Sequence, residues 1–191
     1  MRRTTGRRLA LGVGVVAAGV AAGALLGVFA PVDRAIQELT LPLSHEDVIR
    51  QQAKEKDVDA ALIAAVIYSE SKFSDATSSA GARGFMQITP EAAEDIARHS
   101  GATSFDLSDL SNPEINIRYG TYLLRERIAE YDGNVIAALA SYNAGPVPVE
   151  QWGGSELTID DIKFPETRAY VEEVLAKQKE YRHKYTKELG Y

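Results

Sequence analysis

Apolar positions along this chain fall into two regimes. Residues 9–30 form an uninterrupted stretch without a single charged side chain. From residue 44 onward, apolar positions recur at the three- and four-residue spacing of a helix packed on one face. In this second regime Ser44 caps a first helix, with Asp47 at its third position, running to about residue 56. A second helix is expected over about residues 58–71, where Ala60 through Ile67 are apolar all the way round. Residues 74–84 are rich in Gly, Ser and Ala and fit neither regular period. Thr89-Pro90-Glu91 and Asn112-Pro113-Glu114 each read as cap, first residue and acidic first turn. They open helices to about residues 98 and 131, the longer one supported by Ile117, Leu124 and Ile128. Asn134 caps an apolar helix over residues 135–142, and Pro165 opens a last one with Tyr170, Val174 and Leu175 as its stripe. Sustained strand alternation is absent. The fold class is therefore all-α over residues 44–191, with one short hairpin near residues 80–88 as the only β expectation.

The N-terminal regime changes the picture of location. Arg2, Arg3, Arg7 and Arg8 precede the 22 uncharged residues 9–30, enough for a helix of about 30 Å, the thickness of a bilayer core. The arginines would stay cytoplasmic and leave the rest outside. Residues 1–30 thus read as a single N-terminal transmembrane helix acting as a signal anchor, and residues 31–43, between Pro31 and Pro42, as a short linker. A cleaved signal peptide, leaving a secreted protein, is the competing reading. The length of the stretch and the poor cleavage site at Val28-Phe29-Ala30 favour the anchor. All but four of the 21 basic residues, against all 27 acidic ones, lie beyond residue 30, a net charge near −10. That composition argues against a nucleic-acid partner. No cysteine is present, so disulfides and thiolate metal sites are excluded. His45, His99 and His183 are scattered and read as surface or capping residues; neither a metal nor a cofactor is expected. Gly81-x-x-Gly84 lacks the setting of a phosphate loop.

One residue carries unusual chemistry. Leu62, Val66 and Glu70 share i, i+4 spacing, so a carboxyl continues a core-facing stripe. Burial there favours the protonated form, and a carboxylic acid held neutral near pH 7 can protonate a leaving oxygen. The alternative is a Glu fraying into solvent at a helix end.

Four segments in order, Glu70-Ser71-Lys72-Phe73, residues 81–90 around Gly84-Phe85-Met86-Gln87, residues 138–146 around Tyr142-Asn143-Ala144-Gly145, and residues 164–171 around Glu166-Thr167-Arg168, resemble the family 1 lytic transglycosylases. The resemblance covers about residues 44–185. It implies a goose-lysozyme-like helical domain that cleaves the β-1,4 bond between N-acetylmuramic acid and N-acetylglucosamine in peptidoglycan, leaving 1,6-anhydro ends. It also implies that a single Glu acts first as acid and then as base. Glu70 matches that catalytic residue. Ser71, Ser78, Gln87, Tyr142, Asn143 and Glu166 match the substrate-binding positions, with Tyr142 expected to donate to the Glu70 carboxylate. Gly81 and Gly84 are expected to admit a sugar ring close to backbone. Phe85 and Met86 read as core, Asp75 as a loop residue rather than a second carboxylate, and Glu166 equally as a helix-terminal charge paired with an Arg. Trp152 and Tyr122 read either as stacking platforms or as core. Three departures stand out: a connection one residue shorter between Phe73 and Ser78, which leaves Ser79 as an alternative to Ser78; Thr89 where relatives often carry Met; and Val147 after Gly145-Pro146 in place of Gly. The partners implied are peptidoglycan glycan strands, and the membrane through the N-terminal helix. Proteins of cell-wall synthesis or division are not identified by the sequence. A lysozyme-type hydrolase on the same scaffold is the runner-up, and an inactive wall-binding module the third reading.

Overall fold

The computed structural model describes residues 38–100 and 106–191; the expected transmembrane helix lies outside them. Among the described residues no helix is long and apolar enough to cross a membrane. The chain divides into two units, Met1–Pro42 and Leu43–Tyr191. The first is described only from residue 38, where residues 38–40 are helical.

The second unit consists of α1 (Glu46–Lys56), α2 (Ala60–Ser71), α3 (Pro90–Ser100), α4 (Pro113–Glu130), α5 (Val135–Ala144), α6 (Pro146–Trp152) and α7 (Pro165–Lys184). Single 3-10 turns occupy Leu107–Ser111, Gly154–Glu156 and Ile159–Asp161. The hairpin expectation is met only by isolated antiparallel bridges, Thr77 with Arg83 and Arg83 with Ile88. Asn112 and Asn134 cap α4 and α5 by accepting from the backbone N–H groups of the first turn. The expected Ser44 cap is not used. His45 takes that place in a left-handed conformation, makes no side-chain cap bond, and sets its ring edge-on to Phe85 at 5.3 Å. The short α6 was not legible, because its seven residues hold two prolines and span too little chain to show a period.

Packing runs in a closed circuit: α1 on α2, α2 on α7, α7 on α5, α5 on α4, and α4 back on α1. Helix α2 is the most enclosed, all eight residues from Ala60 to Ile67 being buried. Each of its larger aliphatic side chains contributes about 2 kcal/mol by leaving water. Its contact with α7 is the most extensive in the fold, and the residues that α7 buries are Thr167, Val171, Val174 and Tyr181. The expected α7 stripe of Tyr170, Val174 and Leu175 is thus rotated, and Tyr170 is freed for another task.

Asp59 clamps the far end of α2. Its carboxylate caps Ala61 N–H at 3.2 Å and also accepts from Gln178, from Arg182 at 2.5 Å and from the Tyr191 hydroxyl. Burial pushes this carboxyl up, but the hydrogen bonds from Tyr191 and Gln178 and the Arg182 charge outweigh it, holding it below its ordinary 3.8. A depressed carboxyl stabilises the fold above its unfolded pKa, and the contribution is lost as pH falls through the folded value. Asp59→Ala should therefore cost about 2 kcal/mol at pH 7, one part lost cap and one part stranded donors. In thermal melts the gap between variant and parent should narrow below about pH 4. A gap unchanged at pH 3 would refute the charged clamp.

Candidate active site

The last turn of α2 emerges from the core at Glu70. The carboxyl is half-buried, and burial raises it from its ordinary 4.5 to about 7, opposed only by hydrogen bonding from Tyr170. Among the described residues no second carboxylate shifts it, and Asp75 is exposed in the loop beyond. Tyr170 reaches Glu70 from the first turns of α7. Its hydroxyl is buried without a hydrogen bond of standard geometry, so the contact with Glu70 is loose, as acid–base contacts often are before substrate closes them. Burial, then the charge of Glu70, raises the Tyr170 hydroxyl well above its ordinary value. Tyr170 is therefore a neutral donor. Sequence reasoning placed it in an apolar stripe; the signal that marks it is its place one turn beyond Glu166, on a helix that must pack on α2.

Tyr142 lies near enough to Glu70 for the carboxylate charge to add to the effect of burial in raising its hydroxyl. That hydroxyl donates to the Met86 carbonyl at 2.9 Å, not to the carboxylate. The expected Tyr142 donation to Glu70 is corrected accordingly: Tyr142 fixes the loop, and Tyr170 faces the acid.

The loop is held at several points. Ser71 Oγ donates to the Phe85 carbonyl at 2.8 Å and to the Ile67 carbonyl at 3.3 Å, tying the catalytic helix to residue 85. Ser78 Oγ accepts from Ala82 N–H at 3.1 Å, closing the turn 78–82. Gln87 has a left-handed backbone, φ 48°. Its amide donates to the Ala76 and Gly84 carbonyls, both at 2.9 Å, leaving its carbonyl oxygen as the acceptor on offer. Beneath the loop sits Asn116 of α4, fully buried, which donates to the Arg83 and Leu110 carbonyls at 2.9 and 3.0 Å and accepts from Met86 N–H at 2.8 Å. A side chain at Gly84 would meet Asn116 Nδ2 at 2.2 Å, and one at Gly120 would meet Met86 Sδ at 2.4 Å. The close approach at Gly84 is therefore to Asn116 rather than to a sugar, while Gly81 has open space around it.

The remaining candidates are dispersed along the α5–α7 side. Asn143 is exposed, and its Oδ1 accepts from the buried Thr167 hydroxyl at 2.8 Å, joining α5 to the start of α7. Glu166 is exposed in the first turn of α7. The neighbouring Arg168 turns instead to the Asp160 and Ile162 carbonyls at 2.9 and 2.6 Å. Trp152 is buried, edge-on to Phe164 at 4.8 Å, and belongs to the core. Tyr122 lines a crevice between α3 and α4 with Asp95 and Glu126. Among the described residues no cluster of His, Asp or Glu is arranged to hold a metal.

The sequence that builds this site matches the family model of the transglycosylase SLT domain over residues 47–164. The chain belongs to that family. It is 33% identical over 155 residues to the soluble lytic murein transglycosylase of Salmonella typhimurium and 31% identical to that of Escherichia coli K12. The aligned segment is 76% of this chain and 24% of each relative, so the chain spans about a quarter of their length. Among solved structures it resembles an inactive mutant of the lytic transglycosylase Slt from Pseudomonas aeruginosa, with a TM-score of 0.73 and 32% identity over 78% of this chain and 26% of that one. It also resembles the 70-kDa soluble lytic transglycosylase of Escherichia coli, with a TM-score of 0.72 and 32% identity over 76% and 25%. The SLT domain is thus homologous to the catalytic domain of soluble lytic murein transglycosylases and shares its all-α, lysozyme-like fold. Tyr170 lies beyond the residues that the family match covers.

Proposed function

We propose that this SLT domain is a peptidoglycan lytic transglycosylase in which Glu70 carries both proton transfers. One observation carries the reading: a half-buried carboxyl held protonated up to about pH 7, with no second carboxylate acting on it among the described residues. A two-carboxylate glycosidase needs a second acid at a set distance; a lone acid suits a substrate that supplies its own nucleophile. Glu70 gives its proton to the bridging oxygen as the C1–O4 bond breaks, and Tyr170 stabilises the carboxylate left behind. The carboxylate then takes the proton of the muramoyl O6 hydroxyl as O6 bonds to C1. A 1,6-anhydro ring forms, Glu70 ends protonated, and no water is consumed. The free Gln87 carbonyl oxygen accepts from an acetamido N–H or a hydroxyl. The domain works outside the cytoplasm, held at the membrane by residues 9–30. Full-length protein sedimenting with membranes at high salt supports that anchor, and recovery of a shorter soluble form overturns it.

Mass spectrometry of products from purified peptidoglycan tests the chemistry. Muropeptides ending in 1,6-anhydromuramic acid, formed by the parent and not by Glu70→Gln, are expected. Reducing ends that also require Glu70 would make the protein a hydrolase, and no product from either would leave a wall-binding module.

The tyrosine has its own signature. Its hydrogen bond favours the charged carboxylate, so losing it raises Glu70 further. Tyr170→Phe should lower kcat about 10- to 100-fold and move the alkaline limb of the pH–rate profile to higher pH. A limb that stays put or moves down would remove Tyr170 from the acid's surroundings.

A further inference from the structure

A buried hydroxyl decides which way an exposed amide faces where α5 meets α7. Thr167, in the first turn of α7, is 1% exposed, and its hydroxyl donates to Asn143 Oδ1 at 2.8 Å. Among the described residues this is the hydroxyl's one hydrogen bond. A buried O–H left without an acceptor is destabilising, and only the oxygen end of the Asn143 amide can serve it. Asn143 is exposed, so its amide is held with the oxygen toward α7 and the nitrogen free. The two Nδ2–H groups meet no acceptor among the described residues.

The amide stands beside the acid. Tyr142 precedes Asn143 and lies close enough to Glu70 to feel its charge, while Tyr170, one turn beyond Thr167 on α7, faces that carboxyl. Two residues after Asn143, Gly145 has nothing within 4 Å of the point where a side chain would begin. The surface next to the amide is therefore open. Gln87 has the opposite polarity: the Ala76 and Gly84 carbonyls consume its donors, leaving an oxygen. Fixed bonds on the protein side thus leave an acceptor at residue 87 and a donor pair at residue 143.

We propose that Thr167 is a positioning residue that fixes the Asn143 amide as a donor to an uncharged oxygen of the glycan, a hydroxyl or an amide carbonyl. This rests on the proposed action on peptidoglycan and adds what sets the polarity of the contact. Thr167 is too deeply buried to touch substrate and acts through Asn143. Valine would fill the same space but release the amide to present oxygen or nitrogen alike. Serine would keep the hydroxyl.

Equilibrium binding reads this polarity without turnover. The full-length chain carrying Glu70→Gln is titrated by calorimetry with soluble glycan strands from peptidoglycan, their peptides removed. Adding Asn143→Asp keeps the oxygen that Thr167 needs but removes both N–H donors, and should weaken binding about tenfold. Thr167→Val should weaken it by a similar factor and Thr167→Ser less than about twofold. On an Asn143→Ala background Thr167→Val should add nothing. A merely structural threonine would show its loss on that background too, so a further loss there overturns the positioning role. Unchanged binding by Asn143→Asp or by Thr167→Val, equal losses for valine and serine, or no measurable binding by the Glu70→Gln chain would also overturn it. Asn143→Asp decides the polarity even where Thr167→Val fails to fold, because its hydrogen bond to Thr167 is kept. The 1,6-anhydro product assay judges the chemistry separately.

Discussion

Glu70→Gln should abolish strand cleavage and, above neutral pH, make the protein more stable. Both effects come from the same carboxyl. In the unfolded chain it ionises near 4.5, whereas in the fold it keeps its proton to about 7. The native state therefore binds the proton more tightly, and stability falls as pH rises from about 4.5 to about 7, where burying the charge becomes unfavourable. That interval corresponds to about 3 kcal/mol, reduced to roughly 2 kcal/mol by the partial exposure of the group. Glutamine is neutral throughout and avoids the loss, so the variant should unfold at higher denaturant than the parent at pH 8 and at about the same concentration at pH 4. Activity should drop at least about 10³-fold, since the amide can neither give nor take the proton. Rates in the parent should decline above pH 7 as the acid form is lost. Equal stability of parent and variant at pH 8 would mean that Glu70 titrates as an ordinary exposed carboxyl. The buried-acid account would then fail.

Much of this is legible in the sequence alone. The apolar run into Glu70 gave both the buried helix and the raised carboxyl, because side-chain periodicity and desolvation are properties of local sequence. Asn112 and Asn134 announced their helices for the same reason: a cap acts within three residues. What stayed hidden depends on chain segments far apart in sequence. Tyr170 and Glu70 are a hundred residues apart, and only the rotation of α7 on α2 decides whether Tyr170 joins the stripe or meets the acid. Tyr142 sits in the recognisable segment, yet its hydroxyl serves the Met86 carbonyl, a choice set by loop geometry. Gly120 lies inside α4, where propensity disfavours glycine; its reason is Met86. Asn116 looks unremarkable in sequence because a buried asparagine is recognised only by the backbone groups that it satisfies.

Asn116 also carries the largest stability effect expected from a residue outside the chemistry. Asn116→Ala removes one acceptor and two donor contacts at once, stranding Met86 N–H and removing the side-chain donor of the Leu110 carbonyl, while the Arg83 carbonyl loses Asn116 but keeps the Ile88 N–H. At about 1–3 kcal/mol for each stranded group, partly relieved by water entering the space, the cost should be near 4 kcal/mol. For a domain of this size that lowers the melting temperature by about 10 °C or more. Gly84→Ala should also destabilise, since its new methyl would overlap Asn116 Nδ2 and would occupy a left-handed backbone at φ 73°. The two changes are coupled. On the Asn116→Ala background the overlap with Nδ2 is gone, so Gly84→Ala should cost less there than in the parent. It should not become free, because the Leu110 carbonyl at 2.6 Å and the positive φ remain. A double-mutant cycle in urea measures that interaction, expected at about 1–2 kcal/mol. Strict additivity would mean that Gly84 is required by backbone conformation alone, and that the asparagine does not hold the loop in its place above Glu70.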